Sequence, residues 1–294
     1  MKKGKIIILS LILVVSFSSL IYASQSSFNK SKLVIVEKGQ FMMNSSNENF
    51  SEQEECNVKV NDFYISKYEV THKEYIEFLN DRKIGIDGKY NGHRLIDIDD
   101  LDCAVGYRNK FYFKSSNKAN VEECPVIEVT WWGAIDYCNW LSEKNELKKA
   151  YNSDGYLLDK NGNIVTDIRK VEGYRLPTKV EWEYAARGGI KGKDTIYAGS
   201  DILDKCAWHW ENSKVNNVGQ THPIGEKMAN ELGIYDMSGN VAEWINTKND
   251  SNMIFMNGSW DDLGIFCEVG FWDYDKPSIS EDTLGFRFVR TKAQ

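Results

Sequence analysis

The sequence has six cysteines but no CxxC or CxxxxC pair among them, which excludes a zinc ribbon and thioredoxin-like redox chemistry. Histidine is scarce. The four, His72, His93, His209 and His222, are scattered, with no two at metal-ligand spacing, so a facial triad of two histidines and a carboxylate has no local signal. Structural histidines, solvated or hydrogen-bonded, are the expectation for all four. Positive charge is in the minority, 36 Lys and Arg against 43 Asp and Glu. The net charge of -7 argues against nucleic acid and anionic membrane as partners. No internal repeat, low-complexity tract or long linker interrupts the chain, so one domain is the simplest organisation.

One long apolar run is present, Ile6 to Leu20, behind Lys2, Lys3 and Lys5 and ahead of "IYAS". Residues 1–23 read as a secretory signal with Ala23 the last residue removed; an uncleaved membrane anchor is the alternative. No cysteine lies near the junction, so a lipid anchor is not supported. Cleavage removes three lysines and no acid, moving the net charge from -7 to -10. Residues 24–32, "SQSSFNKSK", form a polar, flexible lead-in, and residues 33–294 form the domain. The expectation is an exported protein with no membrane span after signal removal. Six cysteines then permit up to three disulfides, with the pairing unreadable from spacing and buried free thiols equally open.

Local patterns place the early elements. "LVIVEKGQFMM" reads as two short strands about "KG", and "VKVNDFYISKYEV" as further strand. Thr71 and Glu74 stand at capping-box spacing ahead of Tyr75, Phe78 and Leu79, which share one helical face. "CPVIEVT" reads as a strand leading into a helix capped by Thr130, with Ile135, Cys138 and Leu141 on its buried stripe. "YLLDKNGNIVT" reads as a hairpin turning at Asn161 and Gly162. A second capping box, Thr178 and Glu181, opens a helix that Gly188 and Gly189 stop. The acidic stretch "LIDIDDLD" fails the EF-hand pattern, since the sixth position from Asp97 is Asp102 and the twelfth is Arg108. It reads as a solvated turn. Helices early and an irregular strand-and-loop half later make an α+β pattern.

Six segments, "FYISKYEVTHKEYIEFLN", "CPVIEVTWWGAIDYCNWLSE", "GYRLPTKVEWEYAARGG", "THPIGEKMANELGIYDMSGNVAEW", "NGSW" and "LGFRFVR", stand in this order across residues 33–291. Together they resemble the formylglycine-generating enzyme family, the sulfatase-modifying factor domain. The resemblance implies a C-type-lectin-like α+β fold whose irregular second half carries the ligand or substrate site. The family holds copper oxidases, iron-dependent sulfoxide synthases, enzymes of siderophore maturation, and binding proteins such as the variable proteins of diversity-generating retroelements. Membership alone therefore does not choose a function.

In the family's oxidases, copper(I) sits between two cysteines just beyond a GS-aromatic motif. Here that motif is Gly258, Ser259 and Trp260, the position two beyond the aromatic is Asp262, and only Cys267 follows. A carboxylate is a hard ligand and cannot replace a thiolate for copper(I). The resemblance therefore implies a member without the bis-thiolate site, and no catalytic residue is assigned. The alternative is an oxidoreductase of the family with a rearranged site, built on Cys267 and a distant thiol. Trp244 and Ser259 match active-site positions, although tryptophan packing and a turn serine explain them equally well. "SGNVAEW" matches a structural calcium segment, implying the side chains of Asn240 and Glu243 with carbonyls near Ser238 and Val241 as ligands. A glycine turn capped by Asn240 is the competing reading.

With copper set aside, the stretch from Trp260 to Tyr274 is dense in acids and aromatics. Asp261, Asp262, Phe271, Trp272 and Tyr274 are the exposed candidates for a contact face, with Trp244, Ser259 and Trp260 beside them. Rigid rings and nearby carboxylates suit a basic or mixed protein partner, and equally a carbohydrate. Leu263, Ile265, Trp260 and Phe286 are expected in the core, and Cys267 is expected to be a structural thiol.

Overall fold

A computed structural model describes residues 32–44, 55–114 and 120–292. The expected signal and the lead-in up to residue 31 lie outside the described residues. Among the described residues, no helix is long and apolar enough to cross a membrane.

The first half opens with strands β1 (Leu33–Val36), β2 (Gly39–Asn44), β3 (Glu55–Val60) and β4 (Phe63–Ser66), followed by helix α1 (His72–Asp81). Two small hairpins come next, β5 (Lys89–Tyr90) with β6 (His93–Arg94) and β7 (Val105–Tyr107) with β8 (Phe111–Phe113). Helix α2 (Trp131–Lys144), strand β9 (Tyr174–Arg175), helix α3 (Lys179–Ala186) and the short helix α4 (Leu203–Cys206) lead into the irregular half. There β10 (Ala242–Asn249), β11 (Asn252–Met256), β12 (Trp272–Asp275) and β13 (Leu284–Phe286) build a second sheet, and β14 (Val289–Thr291) returns to the first.

The helices start where local chemistry dictates. In α1 the Thr71 hydroxyl accepts from Glu74 N while the Glu74 carboxylate accepts from Thr71 N, so two otherwise unpaired amides are satisfied. Thr178 and Glu181 repeat the arrangement at α3. Glu181 also pairs bidentately with the buried Arg175 on β9, both contacts at 2.7 Å. That pair ties the helix start to the strand before it. Gly188, at φ +84°, supplies the left-handed residue that ends α3. Helix α2 is buried from Trp131 to Leu141 apart from a half-buried Trp132. Its Tyr137 and Trp140 join Tyr75, Phe78 and Phe286 in one aromatic cluster.

Two four-stranded sheets frame the site. One has the order β1-β4-β14-β9 and the other β12-β11-β10-β13, the last pair parallel. Helix α3 lies in the core between them. Its Trp182 and Tyr184 pack with Phe63, Ile65 and Val289 of the first sheet and with Ile245, Ile254 and Met256 of the second.

One expectation changes. "CPVIEVT" is not a strand: it makes isolated bridges at Pro125 and Val129 only. Pro125 has no amide to donate, and Glu128 sits at φ +58°, which breaks the extended run. β1 and β2 form around "KG" as expected, and they join different sheets. The "YLLDKNGNIVT" segment turns at Gly162 as expected, held by one bridge, Leu158 to Ile164, and by the Asp159 carboxylate accepting from Asn161 N and Asn163 N.

Candidate functional site

Strand alternation gives the second sheet two faces. Ile245, Ile254, Met256 and Trp272 point to α3 and the core. Ala242, Phe255 and Asp273 point the other way, with Phe255 paired to both Trp244 and Asp273 in register. Over that second face lies a cavity of about 260 Å³, lined by Ala242, Phe255, Asn257, Asp262, Phe266, Phe271, Asp273, Glu281, Thr283 and Leu284.

The contact face read from sequence divides on this geometry. Asp262 and Phe271 line the cavity, and Asp261 is exposed beside them. Trp244 is fully buried, its indole N–H donating to Val129 O at 2.9 Å. Ser259 is buried as well, and its amide and hydroxyl both donate to the Asp262 carboxylate at 2.7 Å. Trp260 is half-buried and donates to Asp282 O at 3.0 Å. Trp272 and Tyr274 lie on the α3 side of β12; Trp272 packs against the core and is covered by Lys179, whose Nζ stands 4.0 Å from the ring centre.

One expectation is overturned outright. Leu263 and Ile265, read as core, are 56% and 47% exposed. The turn Gly264–Cys267 is a single 3₁₀ turn, which sends Phe266 to the cavity and Cys267 inward while Ile265 faces solvent. Phe286 is buried as expected. The lining residues Phe255, Asn257 and Glu281 were not singled out by sequence, whereas Phe266 and Asp273 belonged to the acid-and-aromatic stretch but not to its exposed candidates. For Asp273 the signal was present, since it alternates with Trp272 and Tyr274.

All six cysteines are free thiols, and Cys56 alone among them is exposed. Burial, with smaller contributions from Asp262 and Cys206, pushes the Cys267 thiol far up. Burial likewise pushes Cys206 up to about 12. Neither supplies a thiolate at neutral pH. A thiol reagent added to the reduced, folded chain is therefore expected to react quickly with about one equivalent, an equivalent that Cys56→Ser removes. A second fast equivalent lost on Cys267→Ser would contradict the buried placement.

The calcium segment is turned inward. Asn240 Oδ1 accepts from His222 N at 3.0 Å, and its Nδ2 donates to Glu69 at 2.7 Å. Glu243 is wholly buried; its oxygens accept from Arg287 at 2.7–2.8 Å and from the Trp182 indole at 2.6 Å. The Ser238 hydroxyl accepts from Ala198 N, and Val241 N donates to Glu69. With both side chains engaged by protein donors, this set does not fit a calcium ion. What holds the segment is a charge cluster. Burial, then Asp236 and Glu243, raise Glu69 well above the carboxylate range, and burial raises Asp236 to about 6. Asn240 thus bridges separate loops rather than capping its own turn.

The histidines are structural in their contacts. His222 Nε2–H donates to Ser213 O at 2.8 Å while the ring stacks on Trp208, and His209 Nε2 lies 2.9 Å from Asp204. His72 Nδ1 meets Cys124 O, and His93 stacks on Trp132.

Comparison with known proteins agrees with this architecture. The sulfatase-modifying factor enzyme 1-like domain matches residues 19–292. A protein of Paenibacillus barcinonensis named chaperone protein LppX is 36% identical over 289 residues, covering 88% of this chain and 89% of that protein. The formylglycine-generating enzyme of Mus musculus is 25% identical over 230 residues; the match spans 72% of this chain and only 57% of the mouse protein. The crystal structure of CarF superposes with a TM-score of 0.61 at 27% identity, covering 88% of this chain and 97% of CarF. With the fold, the ordered segments and the match across nearly its whole length, the chain belongs to the sulfatase-modifying factor enzyme 1-like domain family.

Proposed function

We propose that the chain is an exported binding module that engages a protein ligand through the cavity face, and that it does not perform copper oxidation. The observation that carries this reading is the lining of the cavity: carboxylates and phenylalanine rings, with no cysteine among them. Where the family's oxidases place soft sulfur ligands, Asp262 instead holds the Ser259 turn. The exposed Leu263 and Ile265, chain neighbours of the lining residues Asp262 and Phe266, add apolar contact area of the kind that protein ligands bury. The similarity to a protein named as a chaperone supports a polypeptide as the ligand class.

The alternative, an oxidoreductase on Cys267 and a distant thiol, has one observation in its favour. Leu203 of α4 packs on Gly264 of the 3₁₀ turn, bringing Cys206 near Cys267. The burial of both sulfurs weighs against it, since a copper(I) or substrate thiol needs access.

The test is the refolding of a chemically unfolded model enzyme with stoichiometric reduced chain, alongside anaerobic copper(I) titration. Higher recovered activity, lost in the double variant Leu263→Asp/Ile265→Asp, is expected. Stoichiometric copper(I) uptake that disappears in Cys267→Ser would transfer the assignment to the oxidoreductase.

A further inference from the structure

The cavity is small, deep in negative charge and faced with rings, and these three properties together select a ligand group. Asp262 comes from the turn after the GS-aromatic motif, Asp273 from β12 and Glu281 from the loop before β13, so three separate segments bring carboxylates to one space of about 260 Å³. Phe255, Phe266 and Phe271 supply rings to the same space, with Phe266 and Phe271 edge to face at 5.1 Å. Among the described residues, no basic side chain lines the cavity. Asp262 takes its hydrogen bonds from the uncharged Ser259 amide and hydroxyl. Around Glu281 the charged neighbours are Asp275 and Asp262, with the Thr283 hydroxyl donating.

The surroundings continue the same sign. Asp282 faces Asp102, Asp261 and Asp100. Lys214 lies beside Asp261, but its Nζ is held 3.8 Å over the Trp210 ring. A concave acidic site with low-dielectric walls concentrates cations. Phenylalanine faces add cation–π attraction and cover an aliphatic stem. A neutral sugar hydroxyl would hydrogen-bond these carboxylates without offsetting their mutual repulsion, whereas an ammonium or guanidinium group does both.

We propose that this cavity receives a cationic side chain, lysine or arginine, presented by the protein ligand between apolar residues that rest on Leu263 and Ile265. This rests on the reading of the chain as a protein-binding module. The cavity is large enough for one such side chain and excludes a folded segment, so the flanking contacts fall outside it.

Four peptides of the form acetyl-Leu-Xaa-Leu-amide, with Xaa lysine, arginine, norleucine or glutamate, would be titrated against the full chain by calorimetry at low salt. Lysine and arginine peptides are expected to bind at least about fivefold more tightly than norleucine. That advantage should shrink as salt screens the charges. It should also be lost in Glu281→Gln, an exposed position, and in Asp273→Asn, which keeps an oxygen able to accept from Tyr274 N. Equal binding of norleucine and lysine, or a lysine advantage that survives both variants, overturns the cation pocket and leaves the binding module standing. Failure of every peptide while the chain still improves refolding does the same. Binding of the lysine peptide with no effect on refolding supports the pocket and removes the chaperone-like reading.

Discussion

Glu243→Gln is expected to lower the unfolding free energy by about 3–5 kcal/mol, the cost of leaving a buried charge without its partner. Arg287 and Glu243 are both 0% exposed, and the guanidinium meets the carboxylate at 2.7–2.8 Å. Its other hydrogen bonds go to the carbonyls of Ser66, Tyr235 and Asp236, so glutamine keeps the shape and most of the geometry while removing the charge. Urea unfolding followed by tryptophan fluorescence checks the loss as a lower midpoint at unchanged slope. The contrasting variant is Glu69→Gln. Burial and two neighbouring carboxylates favour its neutral form, which glutamine imitates, so a change within about 1 kcal/mol is expected. Equal losses for the two variants would mean that Glu69 is ionised as well and shares the charge opposite Arg287 with Glu243.

Stability is expected to decline as pH rises from about 4 to 7, the reverse of a protein held mainly by exposed ion pairs. Burial raises Asp236 from 3.8 to about 6, Asp136 from 3.8 to about 6 and Glu128 from 4.5 to about 7. Each of these carboxyls binds its proton more tightly in the folded chain than in the unfolded one. The stability they contribute is complete below the unfolded value and is lost as pH climbs through the folded value. For Asp236, a shift of about two units at about 1.4 kcal/mol each gives a change of roughly 3 kcal/mol. Glu181 runs the other way: Arg175 and the Thr178 donors outweigh its burial and lower it, so its contribution disappears below about pH 4. The maximum therefore falls on the acid side of neutrality. Chemical denaturation from pH 4.5 to 8.5 measures the profile, and Asp236→Asn should flatten its alkaline limb. A curve level across that range would remove the buried, protonated cluster from the account.

Sequence reached what is local and missed what depends on pairing across the chain. The capping boxes at Thr71 and Thr178 were legible because each closes within four residues. Trp272 and Tyr274 were chosen for their rings, yet their side of β12 is set by pairing with Met256 and Ile254, which no window of sequence contains. Asp273, one residue away, lines the cavity instead. Leu263 and Ile265 looked like core by composition, and only the short 3₁₀ turn shows that their neighbours took the inward positions. The Glu69–Asn240 hydrogen bond joins residues 171 apart, so the inward turn of the expected calcium segment had no local trace.

The route of the backbone through Leu284–Thr291 has a consequence for the order of assembly. β13 closes one sheet beside β10, Arg287 reaches into the charge cluster, and β14 enters the interior of the other sheet between β4 and β9. Val289 pairs with Ile65, more than two hundred positions earlier. During synthesis the earlier segments of both sheets wait with an open slot until Leu284–Thr291 arrives. Closure is thus a slow, long-range event that follows the local helices and hairpins, and the native state is acquired only once residues more than two hundred positions apart have met.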